Sequence, residues 1–158
     1  MVRSTTFRIV RVISVFVAVL AANSLDVYSQ ATVDRFIAQQ AAKEAGDEYA
    51  GARKTLLADV DGGIIADLVV LFTLEGFHGG NNHRQYLAVF LRHGKSYRYA
   101  VHGGVGGKLN RSVDLASVTN GTINLDTKEY RKNDPACCPT RNGKTRYRLI
   151  RGKLREIG

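Results

Sequence analysis

Hydrophobic positions along this chain run first unbroken, then at helical spacing, then in the patterns of β-strands. Residues 12–22 (VISVFVAVLAA) form a continuous apolar run behind Arg3, Arg8 and Arg11. Val33, Ile37, Ala41 and Ala45 then recur every fourth residue. That single stripe predicts a helix over residues 33–49, capped by Thr32 and packed along one face. Beyond Gly51 the period changes. Residues 66–74 (ADLVVLFTL) and 85–91 (QYLAVFL) are continuous, β-branched and aromatic runs, as expected of central strands covered on both faces. Three later stretches alternate. Residues 96–101 place Tyr97, Tyr99 and Val101 on one face and Arg98 on the other. Residues 122–127 turn Ile123 and Leu125 inward. Residues 145–150 do the same with Tyr147 and Leu149 while Arg146 and Arg148 face out.

Short turn signals separate these runs, namely His93-Gly94-Lys95, Asn120-Gly121 and Arg151-Gly152. Sequential strands joined by tight turns give an antiparallel meander. The expected fold is α+β and mostly β: an N-terminal helix packed on seven to eight strands, as a curled sheet, a sandwich or a small barrel.

The first apolar run has 11 residues. It is too short to span a bilayer comfortably, and with its three upstream arginines it reads as the core of a signal peptide. Small residues permit cleavage after Ser24 or Ser29. Residues 1–29 are therefore expected to be a signal peptide and residues 30–158 a single β-rich domain, periplasmic or extracellular, with no integral membrane segment after cleavage.

Charge alters the picture near the end of the chain. Residues 30–127 hold 10 basic and 10 acidic side chains, whereas residues 128–158 hold 10 basic against 3 acidic. Arg146, Arg148, Arg151 and Lys153 are the contact candidates for an anionic surface or an acidic protein partner. Cations on an exposed strand also discourage sheet-to-sheet aggregation. Export, and the lack of any nucleic-acid motif, leave nucleic acid out of the expected partners.

Two loops carry candidate chemistry. In the first, Asp59, Asp61 and Asp67 occupy positions 1, 3 and 9 of a glycine-containing loop, and Ile65 at position 7 offers a carbonyl. Hard oxygens at that spacing suit calcium, and the same Asp-Gly-Gly sequence also serves as a plain turn. Position 5 is Gly63 and position 12 is Val70, so the loop is not an EF-hand. The second loop carries Cys137 and Cys138, the only cysteines of the chain. An oxidising compartment favours their pairing as a vicinal disulfide that locks the segment between Pro135 and Pro139; a redox or metal-capturing dithiol and two free thiols are the other readings.

The Asp loop resembles the calcium loops of FG-GAP and VCBS-type repeat proteins. It occurs once, whereas a propeller needs many copies, so propeller function is not implied. Taken with Gly79-Gly80-Asn81-Asn82, Gly106-Gly107-Lys108 and residues 133–140 (NDPACCPT), the chain resembles a group of uncharacterised bacterial secreted proteins and lipoproteins. The resemblance implies an envelope or extracellular setting and no activity.

Catalytic motifs are missing. Residues 102–109 (HGGVGGKL) fail the phosphate-loop pattern, with His102 in place of its first glycine and Leu109 in place of its Ser/Thr. His78 and His83 flank a glycine-asparagine loop without a carboxylate or cysteine at ligand spacing. The expected protein is a non-enzymatic exported module that binds an anionic surface or a protein partner. The alternatives are a structural envelope protein with a weak calcium loop and a secreted enzyme inhibitor.

Overall fold

The computed structural model describes the backbone of residues 16–158 and the side chains of residues 29–158. The leader expected over residues 1–29 thus lies outside the described residues for its first half, and outside the described side chains for nearly all of it. In chain order the elements are α1 (Phe16–Glu44), β1 (Asp47–Glu48), a 3-10 turn (Ala50–Ala52), β2 (Lys54–Ala58), β3 (Asp67–Glu75), a second 3-10 turn (Phe77–Gly79), β4 (His83–His93), β5 (Ser96–Gly107), β6 (Arg111–Thr119), β7 (Thr122–Glu129), β8 (Arg141–Ile150) and β9 (Lys153–Ile157). Among the described residues no helix is long and apolar enough to cross a membrane.

All strand pairs are antiparallel, and each strand from β3 to β9 pairs with the next in sequence; β1 and β2 share the outer edge of β3. The ladder nearly breaks once, because β5 and β6 meet only at Gly107 and Arg111. There the sheet turns a corner and folds back on itself without closing. Val69, Leu71, Leu87, Val89 and Val105 from the first half pack against Val113, Leu115, Ile123, Leu125 and Tyr147 from the second. On the other face of the first half, Val33 and Ile37 of α1 cover Leu68, Val70, Phe72, Leu74, Tyr86, Ala88 and Phe90. β3 and β4 are therefore the middle layer, buried on both sides, which explains their continuous apolar sequences.

Gln85 makes the corner possible. Its side-chain amide donates to the Val113 carbonyl at 2.9 Å and its Oε1 accepts the Val113 N–H at 2.8 Å, replacing a strand partner where β6 departs. A Cβ on Gly106 would lie 2.7 Å from the Arg111 carbonyl oxygen and 2.8 Å from Gln85 Oε1. Glycine is required there by the close approach of another backbone.

Three sequence expectations need correction. The helix is continuous from Phe16 to Glu44, so Thr32 lies inside it and not at its start. No glycine or proline interrupts residues 12–44. The helix stops before Tyr49 because Ala45 is left-handed (φ 52°) and the Gly46 N–H returns to the Ala41 carbonyl, which frees Asp47 and Glu48 to pair with β3. Second, Val101 does not share a face with Tyr97 and Tyr99. A bulge at Ala100 places Val89 opposite Val101 and Phe90 opposite Tyr99. The extra residue turns both tyrosines toward the helix and Val101 toward the inner core. Third, the sheet has nine strands rather than seven or eight, the additional ones being short segments on the β3 edge.

Candidate functional site

The turns Gly94-Lys95, Asn120-Gly121 and Arg151-Gly152 and the Asp loop gather at one end of the meander, and the His and Cys loops gather at the other. At the first end, the β8–β9 hairpin closes through Arg151 (φ 51°) and Gly152 (φ 72°), two successive left-handed residues, as a type I′ turn requires. Register then sets the cations. Arg148 stands directly across from Arg155, Ile150 from Lys153, and Arg146 from Ile157. On the other side β7 offers only Thr122 and Asn124 opposite Arg148 and Arg146.

Arg146, Arg148, Arg151, Lys153 and Arg155 are all exposed. Among the described residues none of the five is paired with an Asp or Glu side chain; the Arg146 guanidinium donates to the Gly158 backbone oxygen. Neighbouring cations are neutralised, Lys144 by Asp126 at 2.8 Å and Arg141 by Glu129. Arg155 is absent from the contact set read from the sequence, since its position opposite Arg148 becomes visible only once the hairpin register is known.

The Asp loop brings Asp59, Asp61 and Asp67 together, with one carboxylate oxygen from each lying within 4.8 Å of the others. Much of their accepting capacity is already used. Asp59 Oδ1 accepts the N–H groups of Asp61, Gly62 and Gly63 at 2.8–3.2 Å, and Asp61 Oδ1 accepts Gly63 N–H at 2.9 Å. Buried Asp67 accepts from Val60 through Oδ2 and from Arg92 through Oδ1, tying the loop to the start of β3 and the end of β4. A Cβ on Gly63 would lie 2.9 Å from Oδ1 of the exposed Asp61 side chain and 3.9 Å from the Ile65 carbonyl, so an aspartate there requires only that Asp61 turn aside. The donor set is hard oxygen, which fits calcium in kind. Water would have to supply much of the six to eight ligands.

Cys137 and Cys138 are joined as a vicinal disulfide across a trans peptide, with Cα atoms 3.8 Å apart. Their loop is organised by Asp134, which accepts the N–H groups of Arg131 and Thr140 and the Thr140 hydroxyl at 2.8–2.9 Å. These bonds, led by the Arg131 N–H, hold the Asp134 carboxyl below its ordinary range. The Cys138 N–H reaches the Pro135 carbonyl, and Tyr130 donates its hydroxyl to the Ala136 carbonyl. Residues 133–140 therefore form a ring built by local hydrogen bonds.

His78 and His83 line a cleft of about 570 Å³ beside Arg84, Gly104, Lys108 and Asn110, and no carboxylate joins them. Residues 102–107 are part of β5 and the corner, and the corner accounts for Gly106 and Gly107 without a phosphate.

No family model, curated protein or solved structure matches this chain.

Proposed function

We propose that this protein is an exported, non-enzymatic module whose β8–β9 face docks on an anionic surface. One observation carries the reading: Arg148 and Arg155 are cross-strand neighbours with no carboxylate to separate them. Like charges directly opposite on a sheet destabilise it, by tenths of a kcal/mol up to about 1 kcal/mol. A surface rich in phosphate or carboxylate reverses that repulsion, and Arg151 and Lys153 at the adjoining turn extend the same field. Cosedimentation with phosphatidylglycerol vesicles and with phosphatidylcholine vesicles at low salt tests the reading. Retention on the anionic vesicles alone supports it; equal retention on both overturns it.

The clustering of three carboxylates favours a second role for the Asp loop, as a weak calcium-binding staple at the same end of the molecule. Asp59, Asp61 and the Ile65 carbonyl would hold the ion, with Asp67 anchoring the loop from beneath.

A further inference from the structure

We propose that the unpaired edge of β5, which β9 approaches without pairing, accepts an extended, acidic peptide as an added strand, at a site separate from the exposed arginines of the β8–β9 face. β5 is paired with β4 from Ser96 to Gly107, yet on its other side only Gly107 meets β6. The Arg111 Nε additionally caps the Val105 carbonyl at 2.7 Å. Over residues 96–104 the outward edge pairs with no strand among the described residues, the condition for strand addition.

The glycines on this edge point the same way. A Cβ on Gly103 or Gly104 would have nothing within 4 Å, and neither residue has a left-handed φ. The fold demands glycine at Gly106 and Gly107, where a Cβ would meet backbone at 2.7 and 2.6 Å, but makes no such demand at Gly103 and Gly104. Bare positions inside a strand suit the close approach of another backbone.

Charge and shape define the occupant. No acidic residue occurs between Arg92 and Val113, while Lys95, Arg98 and Lys108 do; Arg111 is committed to Glu156. On the helix side, the edge opens into a cleft of about 390 Å³ containing Arg35, Phe36, Gln39, Tyr99 and His102. Arg98, on the opposite face of β5 from this cleft, is exposed and has no ion pair among the described residues. A guest strand with alternating acidic and apolar side chains would hydrogen-bond to β5, set carboxylates on the face that carries Arg98 and lay apolar groups on Tyr99 and Phe36 on the other.

The test uses a fluorescent decapeptide of alternating Glu and Val, its Lys–Val counterpart, and two Glu–Val versions N-methylated at one or the other alternate set of amides. The Glu–Val peptide is expected to bind and the Lys–Val peptide is not. Methylation of one set should abolish binding and methylation of the other leave it intact, because only alternate amides face the edge. Backbone amides within residues 96–104 should gain protection from hydrogen exchange, and Arg98→Glu should weaken binding about tenfold. Arg148→Ser with Arg155→Ser should leave it unchanged, which separates this site from the hairpin face. Equal binding of both methylated peptides, or unchanged exchange across residues 96–104, would overturn the proposal.

Discussion

Arg111 grips Glu156 with two parallel hydrogen bonds of 2.9 Å, joining the first residue of β6 to the penultimate residue of β9. The same guanidinium donates to the Val105 carbonyl and to the Tyr147 hydroxyl at 2.7 Å, while Tyr147 and Thr145 both donate to Glu156. One arginine thus bridges β5, β8 and β9 on the side where the curled sheet fails to close. The contact with Arg111 outweighs burial and brings the Glu156 carboxyl down to about 2, and burial followed by the bond to Glu156 pushes the Tyr147 hydroxyl up to about 12.

This arrangement makes stability depend on acid. The folded carboxyl titrates below its unfolded counterpart, so its contribution is complete above about pH 4.5 and disappears as pH falls toward 2. With 48% of the Glu156 side chain exposed, solvent screening holds that contribution to about 1 kcal/mol. Urea denaturation of Glu156→Gln should show the loss at pH 7 and a smaller difference from the wild type at pH 2.5. An equal difference at both values would contradict the pairing.

The corner should be intolerant of small changes. Gly106→Ala forces contacts of 2.7–2.8 Å on Arg111 and Gln85, and an expected cost of about 1–3 kcal/mol follows. Gly104→Ala meets nothing within 4 Å and should fall within about 0.5 kcal/mol of the wild type. Gln85→Leu leaves the Val113 N–H and C=O unpaired at a buried position, costing about 1–3 kcal/mol. Chemical denaturation of the three variants gives the order directly.

The Asp loop separates anchoring from metal binding. Asp67→Ala removes the acceptor for two backbone N–H groups and should destabilise by about 2 kcal/mol with or without calcium. Calcium at millimolar concentration should raise the wild-type Tm by a few degrees, as ligand binding to the folded state requires. Asp61→Asn should keep most of the stability and lose the calcium response. No change in wild-type Tm on adding calcium or EDTA would rule out the metal.

The aromatic contact between helix and sheet is equally open to test. Phe36 stacks on Tyr99 at 4.6 Å between centroids and meets Phe90 edge-on at 5.4 Å. Phe36→Ala should cost about 3 kcal/mol and release the helix face, read as faster exchange of α1 amides.

Where local pattern decided the structure, the sequence was legible. The runs at residues 66–74 and 85–91 identify β3 and β4 because burial on both faces leaves polar side chains only at Asp67, Thr73 and Gln85, near the strand ends, and Ile123, Leu125 and Tyr147 show their inward faces by alternation. The bulge at Ala100 was hidden because it inserts a residue without altering composition, and it moved Val101 to the opposite face. β6 was missed for a related reason: Ser112, Asp114 and Ala116 hide the inward Val113 and Leu115 inside a polar stretch. The cationic tail was legible as charge. Its pairing of Arg148 with Arg155 required the register that the Arg151-Gly152 turn imposes.

Repulsion between these two arginines gives the hairpin reading a second signature, a trade between stability and binding. Arg155→Thr should raise stability at low salt by a few tenths of a kcal/mol while weakening attachment to anionic vesicles. A variant that lowers both would show that Arg155 supports the fold instead.

The most direct measurement is the affinity of the wild type and of Arg148→Ser with Arg155→Ser for phosphatidylglycerol vesicles across a salt series. Wild-type binding should weaken steeply with salt, and the folded double variant should bind at least about tenfold less tightly with a shallower salt dependence. Identical curves for the two proteins would contradict docking through the β8–β9 face.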